Sequence, residues 1–162
     1  MGHPTPSSQF IARRTFLLIA TASPIALLTA CGSGAGSAAG DSADDLLRSQ
    51  VADAEAALIA QYQATIAAYQ DLAAPLTLLM DQHRAHLAAM AIAPSSAPPS
   101  AGVPVPGSAR QAVTALADAE RAATQQRSQA CVDAMDPALA RTLAFIAASE
   151  ASHVPALGQV SA

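Results

Sequence analysis

The sequence predicts an all-α protein built as a single four-helix bundle. Hydrophobic residues, mostly Ala, make up 52% of the 162-residue chain, whereas aromatic residues make up only 3%. Ala and Leu favour helices over sheets. Apolar residues also recur at helical spacing in four segments that turn residues separate. The chain is long enough for one domain with a modest core, and a second domain is not expected.

The first half of the domain is predicted to form a helical hairpin. Between Asp44 and Gln70 apolar residues repeat every three or four positions without Gly or Pro, which predicts the first helix. Asp71 is expected at the turn or as a helix cap, and Pro75 in the first turn of a second helix that reaches about Ile92. Because the turn is short, these two helices should be antiparallel.

The second half repeats this arrangement after a linker. Residues 93–107 are rich in Pro, Ser and Gly and should not be helical. A third helix is expected over 109–135, and a fourth from the Asp136-Pro137 pair, a cap followed by a favoured first-turn proline, to about Leu157. The bundle therefore covers residues 44–157.

An internal repeat supports two hairpins of one ancestry. Residues 52–55 read Ala-Asp-Ala-Glu, and residues 117–120 read the same. The linker could stretch to roughly 45 Å in an extended polyproline conformation, more than the roughly 27 Å of the second helix. It can therefore run the full height of the bundle as a long Pro-rich crossover between the two hairpins.

The N-terminal residues 1–30 are expected to be a secretion signal. The apolar run that ends at Ala30 is shorter than the roughly 20 residues needed to span a bilayer. The sequence Leu-Thr-Ala-Cys at 28–31 resembles the lipobox of bacterial lipoproteins. That resemblance implies that Cys31 carries the lipid, such as palmitate, that anchors the protein to the extracytoplasmic face of the membrane, with residues 31–43 as a flexible tether. The alternative is an ordinary cleaved signal with a chance cysteine.

Two further features bear on export and on cysteine chemistry. Arg13 and Arg14, followed by Thr-Phe-Leu, resemble a twin-arginine signal, which exports folded proteins; a general secretion signal also needs basic residues there. With Cys31 lipidated, Cys131 has no partner within the chain. Cys131 is therefore expected to be a small buried hydrophobic residue, with a metal-ligand or redox role as the alternative.

The charge pattern excludes one class of partner. The net charge is -4, and all basic residues are Arg. Without a basic surface the protein has no means to neutralise phosphates, so nucleic acid is not expected as a partner. The sequence also contains no nucleophile triad, Gly-rich phosphate loop or Cys-Cys metal spacing.

The few glutamates of the chain are its most informative residues. The sequence contains only three, Glu55, Glu120 and Glu150, and each lies on the apolar stripe of its predicted helix. His83 lies on the stripe of the second helix, with His86 beside it, and His153 continues the stripe of the fourth. Buried carboxylates and imidazoles need shared protons or a cation. Counting residues from the two turns places them at similar heights; if the first helix instead runs on to Pro75, Glu55 and His86 lie at different heights.

These residues resemble the ferritin-like di-iron pattern, and the chain is similar to ferritin-like domains of bacterial lipoproteins. The resemblance rests on Glu55, Glu120 and the Glu-x-x-His motif of Glu150 and His153. It implies that these four residues and His86 are metal ligands. The sequence departs from the pattern at His83, where the family has a glutamate, so His83 is the sixth predicted ligand and offers an imidazole in place of a bridging carboxylate. One carboxylate fewer makes a single ion, or Zn or Cu in place of one or two Fe ions, more plausible.

Two functions follow from this sequence. The first is a membrane-anchored lipoprotein whose bundle binds a transition metal for sequestration or, if open iron sites exist, as an oxidase-like centre. The second is a non-enzymatic scaffold in which Glu-His and Tyr-Glu hydrogen bonds satisfy the polar core without metal. Tyr62 and Tyr69 are expected to be core aromatics, with a radical or ligand role as the alternative, and Arg127 a charge partner of a carboxylate or a side chain reaching solvent.

Overall fold

The protein forms a bundle of four α-helices. A computed structural model describes residues 35–95 and 102–160, with side chains from residue 43 onward. Within these ranges no strand occurs, and the predicted all-α four-helix bundle is confirmed. The helices are α1 (Ala35–Ala68), α2 (Ala73–Ala89), α3 (Ala109–Asp133) and α4 (Pro137–Gly158).

The second hairpin has the caps that its sequence favours. The Ser108 hydroxyl accepts a hydrogen bond from the backbone N–H of Gln111 at the start of α3. The Asp136 carboxylate accepts one from the backbone N–H of Ala138, and Pro137 fills the first position of α4. Both caps satisfy donors that have no partner within the helix.

The first hairpin departs from its predicted bounds at two places. Helix α1 begins at Ala35, so residues 35–43 are helical and not a flexible tether; the many alanines there favour the helix. Asp71 lies in a 3-10 turn, Gln70–Leu72, that leads directly into α2, so of its two predicted roles the turn is confirmed and the cap is not. Helix α2 ends at Ala89, before Ile92, because Ala91 adopts a left-handed φ of 55°. The predicted roles of Arg13, Arg14 and Cys31 lie outside the described residues.

The structure has two apolar clusters, which we name the upper cluster and the lower cluster. The order in which a helix passes them shows its direction. Helices α1 and α4 pass from the lower cluster to the upper one, and α2 and α3 pass from the upper to the lower. Neighbouring helices are therefore antiparallel, as predicted for two hairpins. The upper cluster contains Tyr62, Leu72, Leu76, Leu79, Met80, Val113, Leu116, Ala117 and Leu157. The lower cluster contains Val51, Ala52, Met90, Ala130, Leu139, Leu143 and Ile146.

The described ends of the linker lie along α1. The backbone N–H and the hydroxyl of Ser95 donate to the carboxylate of Asp53. Near the other end of the linker, the Tyr69 hydroxyl donates to the carbonyl oxygen of Pro106. Asp53 and Tyr69 are separated by about 24 Å of helix. These contacts agree with a crossover that returns the chain from the lower to the upper end, which lets α2 and α3 run in the same direction.

One contact ties the beginning of α1 to the second hairpin. The carboxylate of Asp44, only 6% exposed, accepts hydrogen bonds from the backbone N–H groups of Met135 (2.9 Å) and Asp136 (2.8 Å). Arg48, one turn later, lies 3.3 Å from the Asp136 carboxylate. Helix α1 thus caps the turn between α3 and α4 and holds the two hairpins in register. No helix in the described ranges is both long and apolar enough to cross a membrane.

Candidate metal centre

A polar layer lies between the two apolar clusters, and all six predicted ligands belong to it. Glu55, His83, Glu120 and Glu150 have no solvent exposure, and His153 is 1% exposed. The His86 side chain is 12% exposed. The predicted meeting of acids and imidazoles at one height is therefore confirmed. Glu55 and His86 also lie at one height, because the first turn falls at Gln70–Leu72 and not at Pro75.

His83 is the centre of this layer because each of its ring nitrogens faces a different glutamate. Its Nδ1 atom lies 2.9 Å from Glu55 Oε2, and its Nε2 atom lies 2.8 Å from Glu120 Oε1. The His153 ring packs edge-on against it, with 5.0 Å between the ring centroids. Helix α2 thus links the glutamates of α1 and α3.

Three side chains, those of Tyr62, His83 and His153, contact the same oxygen of Glu120, Oε1. The Tyr62 hydroxyl donates to Glu120 Oε1 at 2.6 Å, and His153 Nδ1 lies 3.1 Å from the same oxygen. Tyr62 is fully buried in the upper cluster, as expected for a core aromatic. Its hydroxyl adds a polar function that fixes the Glu120 carboxylate.

Gln82 determines which nitrogen of His153 carries a proton. Its Oε1 atom lies 3.0 Å from His153 Nε2 and also accepts a hydrogen bond from the Ser149 hydroxyl. In this orientation of the Gln82 amide its oxygen accepts, so Nε2 of His153 is the donor. In neutral His153 the Nδ1 lone pair then points at a carboxylate oxygen of Glu120. Two acceptors facing each other at 3.1 Å need a proton or a cation between them.

Arg127 supplies a permanent positive charge on the other side of the layer. Its guanidinium is 2% exposed and lies 3.3 Å from Glu55 Oε1 and 3.5 Å from Glu150 Oε1. These distances are longer than the 2.7–2.9 Å of well-formed charge-assisted hydrogen bonds. Arg127 is therefore a charge partner, as one of the two sequence interpretations held, and it is loosely bound by its carboxylates.

Several buried polar atoms of the layer lack a hydrogen-bond partner among the described residues. Such atoms are costly unless a cation or water satisfies them, and all of these are potential metal-ligand atoms. They are Nδ1 of His86 and His153, Oε2 of Glu120 and both carboxylate oxygens of Glu150.

The two central glutamates are held ionised. Burial would raise the pKa of Glu55, but the contacts with His83, His86 and the positive charge of Arg127 outweigh it and lower the pKa to about 2. Burial acts in the same way on Glu120, and its contacts with His153, where a proton on Nδ1 would face the carboxylate, and with His83 lower its pKa to about 2. Both side chains are therefore carboxylates at neutral pH.

Three side chains of the layer, His83, Glu150 and Tyr62, hold protons at neutral pH. Burial would lower the pKa of His83, but the adjacent Glu120 and Glu55 raise it to about 9. Burial raises the pKa of Glu150 to about 8, although Arg127 opposes this shift. Burial and the charge of Glu120 also raise the pKa of Tyr62. Protons on His83 and Glu150 thus balance the layer in the absence of a metal ion.

The layer provides two overlapping groups of potential ligands. In each group one atom from every residue lies within 4.8 Å of the others. We name the group of His83, Glu120 and His153 the three-residue set, and the group of Glu55, His83, His86 and Glu150 the four-residue set. His83 belongs to both and can serve them through different ring nitrogens.

Sequence reasoning missed Gln82 and Ser149, because both lie outside the apolar stripes that identified the ligands. Their only signal is position: Gln82 precedes His83, and Ser149 comes four residues before His153 in α4. Cys131 belongs to neither ligand set. It is half-buried rather than buried, packs against the lower cluster and donates its thiol to the carbonyl of Ala140.

The fold and the layer define an all-α four-helix bundle with a buried histidine and glutamate cluster that could hold a metal ion. No protein-family model, curated protein or solved structure matches the chain. The function must therefore be argued from the site itself.

Proposed function

We propose that this protein binds a transition-metal ion in its bundle and is held at the outer face of the cell membrane by a lipid on Cys31. The observation that carries the metal-binding proposal is the three-residue set. Its ligand atoms lie close together in a layer shielded from solvent, and two of them, His153 Nδ1 and Glu120 Oε2, have no hydrogen-bond partner among the described residues.

Each member of the three-residue set also has an outer partner that would orient it toward an ion. Glu55 faces Nδ1 of His83, which leaves Nε2 free to bind an ion once His83 is neutral. Gln82 holds Nε2 of His153 and leaves Nδ1 free. Tyr62 holds Glu120. Metal-binding histidines and carboxylates in proteins characteristically have such partners, which fix the tautomer and the direction of the lone pair.

The chemistry of the donors favours Zn, Fe or Cu. Two imidazoles and one carboxylate are the ligands of catalytic zinc sites and of non-haem Fe(II) sites, in which other coordination positions stay open. Hard ions such as Mg²⁺ and Ca²⁺ prefer an all-oxygen set. When bound, such an ion would supply Lewis-acid or redox chemistry, while Gln82, Tyr62 and Glu55 orient its ligands.

The burial of the three-residue set favours metal binding and sequestration as the function of the protein. The three-residue set is at most 1% exposed, so a bulky substrate has no access to it. An oxidase-like centre would serve only small molecules such as O₂. A purified, Fe(II)-loaded full chain that consumes O₂ faster than free Fe(II) would support that role, and equal rates would exclude it.

Metal content is the test of this proposal. We expect the full chain, purified after loading with Zn(II) and removal of excess metal, to retain zinc in elemental analysis. Glu120→Gln should lose it, because a charged ligand becomes a neutral amide of the same shape. Asp118→Asn is the matched control, since Asp118 is exposed on the same helix and should keep the full zinc content. Equal zinc content in all three proteins, or none, would contradict the proposal.

A metal-free scaffold is the second candidate function. The protons that His83 and Glu150 hold in the absence of a metal ion favour it. Two carboxylates of low pKa balance the imidazolium of His83 and the Arg127 guanidinium when Glu150 is protonated and the rings of His86 and His153 are uncharged. Such a layer can persist without an ion. A chain that retains no zinc, iron or copper and gains no stability from any of them would support the scaffold.

The anchor is tested separately. In a bacterium that processes lipoproteins, we expect the wild-type chain in the membrane fraction, carrying the added mass of a lipid. Cys31→Ala should move it to the soluble exported fraction, whereas Cys131→Ala should leave it in the membrane. If Cys31→Ala leaves both the mass and the fractionation unchanged, the lipid-anchor proposal is wrong.

The export route depends on the arginine pair. If Arg13 and Arg14 form a twin-arginine signal, replacing both with Lys should block export while keeping the positive charge that general secretion needs. Unchanged export of the double variant would assign the protein to general secretion.

A further inference from the structure

Arg127 occupies the position that decides how many ions the polar layer can hold. Its guanidinium lies within 3.5 Å of Glu55 and Glu150, both members of the four-residue set. The three-residue set shares only His83 with the four-residue set. The positive charge of Arg127 therefore lies beside the four-residue set.

The charges of the layer fit one divalent ion better than two. Once metal binding has displaced the protons of His83 and Glu150, the three ionised glutamates, the Arg127 guanidinium and one divalent ion are together neutral. A second divalent ion would leave two uncompensated positive charges in a layer without solvent, which is costly in a low-dielectric interior. Without Arg127 the same three carboxylates would bring two ions close to neutrality.

We propose that Arg127 replaces a second metal ion and limits the centre to one ion, held by His83, Glu120 and His153. This inference rests on the proposed function. Arg127 is a specificity-determining residue for the number of ions. Glu55 stays with Arg127 and, through Nδ1 of His83, acts as an orienting partner and not as a ligand.

A groove beside Arg127 gives a second ion access if the arginine is removed. It lies between α1 and α3, has a volume of about 280 Å³ and is lined by Gln50, Val51, Gln126 and the inner wall that Arg127 provides. A shorter side chain at 127, such as Met, would open the four-residue set toward this groove.

The test is the zinc stoichiometry of the full chain, measured by elemental analysis and by calorimetric titration of Zn(II). We expect one zinc ion per wild-type chain and two per Arg127→Met chain. Arg127→Lys, which keeps the charge, should bind one. Arg121→Met, which removes an exposed arginine of the same helix, should also bind one.

The origin of the second ion is tested with a double variant. Adding Glu55→Gln to Arg127→Met should return the stoichiometry to one, because a member of the four-residue set loses its charge. If Arg127→Met does not fold, Arg127→Gln takes its place, since the amide can still donate to a carboxylate. Circular dichroism of each variant reports its helical content.

The outcomes separate this inference from the proposed function. A wild-type chain that binds no zinc contradicts both. One zinc in the wild type and one in the folded Arg127→Met or Arg127→Gln chain overturns the role of Arg127 and leaves the metal site intact. Two zinc ions in the wild type overturn it as well.

Discussion

The Nε2 atom of His153 lies 3.0 Å from Oε1 of Gln82, a residue on the neighbouring helix α2. Through this contact a partly exposed amide fixes the tautomer of a buried imidazole and aims its Nδ1 atom at Glu120. The ligand role of His153 thus depends on a residue that would not itself touch the ion.

Replacing Gln82 should weaken metal binding without removing it. Gln82→Leu frees His153 to adopt either tautomer, and the loss of such an outer partner typically lowers metal affinity 10- to 100-fold, so we expect a loss of that order. Zinc affinity is measured by competition with a chelator of known strength. Gln125→Leu, an exposed position of α3, serves as the control. Unchanged affinity in Gln82→Leu would show that the contact does not orient His153.

The two tyrosines provide a matched test of the polar layer. Tyr62→Phe removes a hydrogen bond to the ionised Glu120, and bonds to charged groups contribute about 1.5–3 kcal/mol. Tyr69→Phe removes a hydrogen bond to the neutral carbonyl of Pro106, which contributes about 1 kcal/mol. Chemical unfolding of the metal-free variants should show the larger loss for Tyr62→Phe. An equal or smaller loss would indicate that Glu120 does not depend on the Tyr62 hydroxyl.

The stability of the metal-free protein should be highest in weakly acidic solution. Glu55 and Glu120 have lowered pKa values, so their stabilisation is present above about pH 4.5 and is lost as the pH falls toward 2. His83 and Glu150 have raised pKa values, so the folded state loses stability as each of them gives up its proton with rising pH. For His83 the loss runs from 6.5 to about 9, and for Glu150 from 4.5 to about 8.

The measurement is the free energy of unfolding in chelator-treated protein between pH 4 and 9. We expect a maximum near pH 5 and a decline of a few kcal/mol toward pH 9. Glu150→Gln should flatten the part of the decline below pH 8, because an amide does not titrate. Stability that increases steadily from pH 5 to pH 9 would contradict the assigned protonation of His83 and Glu150.

The contact between Asp44 and the second hairpin predicts an effect far from the polar layer. Asp44→Ala leaves the backbone N–H groups of Met135 and Asp136 without their acceptor, and the loss of such a cap costs about 1–2 kcal/mol. Asp45→Ala changes an exposed neighbour and should cost little. Unfolding of both variants in urea compares the two. Equal stability of the Asp44 and Asp45 variants would show that the Asp44 carboxylate does not stabilise the turn between α3 and α4.

The sequence predicted the fold and the six polar residues of the layer because both follow from helical periodicity. Glu55, Glu120 and Glu150 stood on apolar stripes, and the positions of the turns placed them at one height. The pattern could not show Gln82, which contributes from outside the stripe, nor choose between the two roles of Arg127. Both depend on side-chain directions between helices, which spacing along one helix does not encode.

The helix ends were predicted best where a specific cap exists. Ser108, Asp136 and Pro137 mark the ends of the second hairpin by their own chemistry. The start of α1 and the end of α2 have no such signal, and the alanine-rich sequence there is compatible with helix or linker. The resemblance to ferritin-like domains and the lipid anchor stay predictions, since the first concerns ancestry and the second lies outside the described residues.

The most direct test of the account is the thermal unfolding of the full chain with and without Zn(II). An ion at 100 times its dissociation constant stabilises the folded state by about 2.7 kcal/mol, which raises the unfolding midpoint of a domain of this size by roughly 10 °C. We expect that rise in the wild type and its loss in Glu120→Gln. An unchanged wild-type midpoint, or an equal rise in both proteins, would show that His83, Glu120 and His153 do not bind the ion.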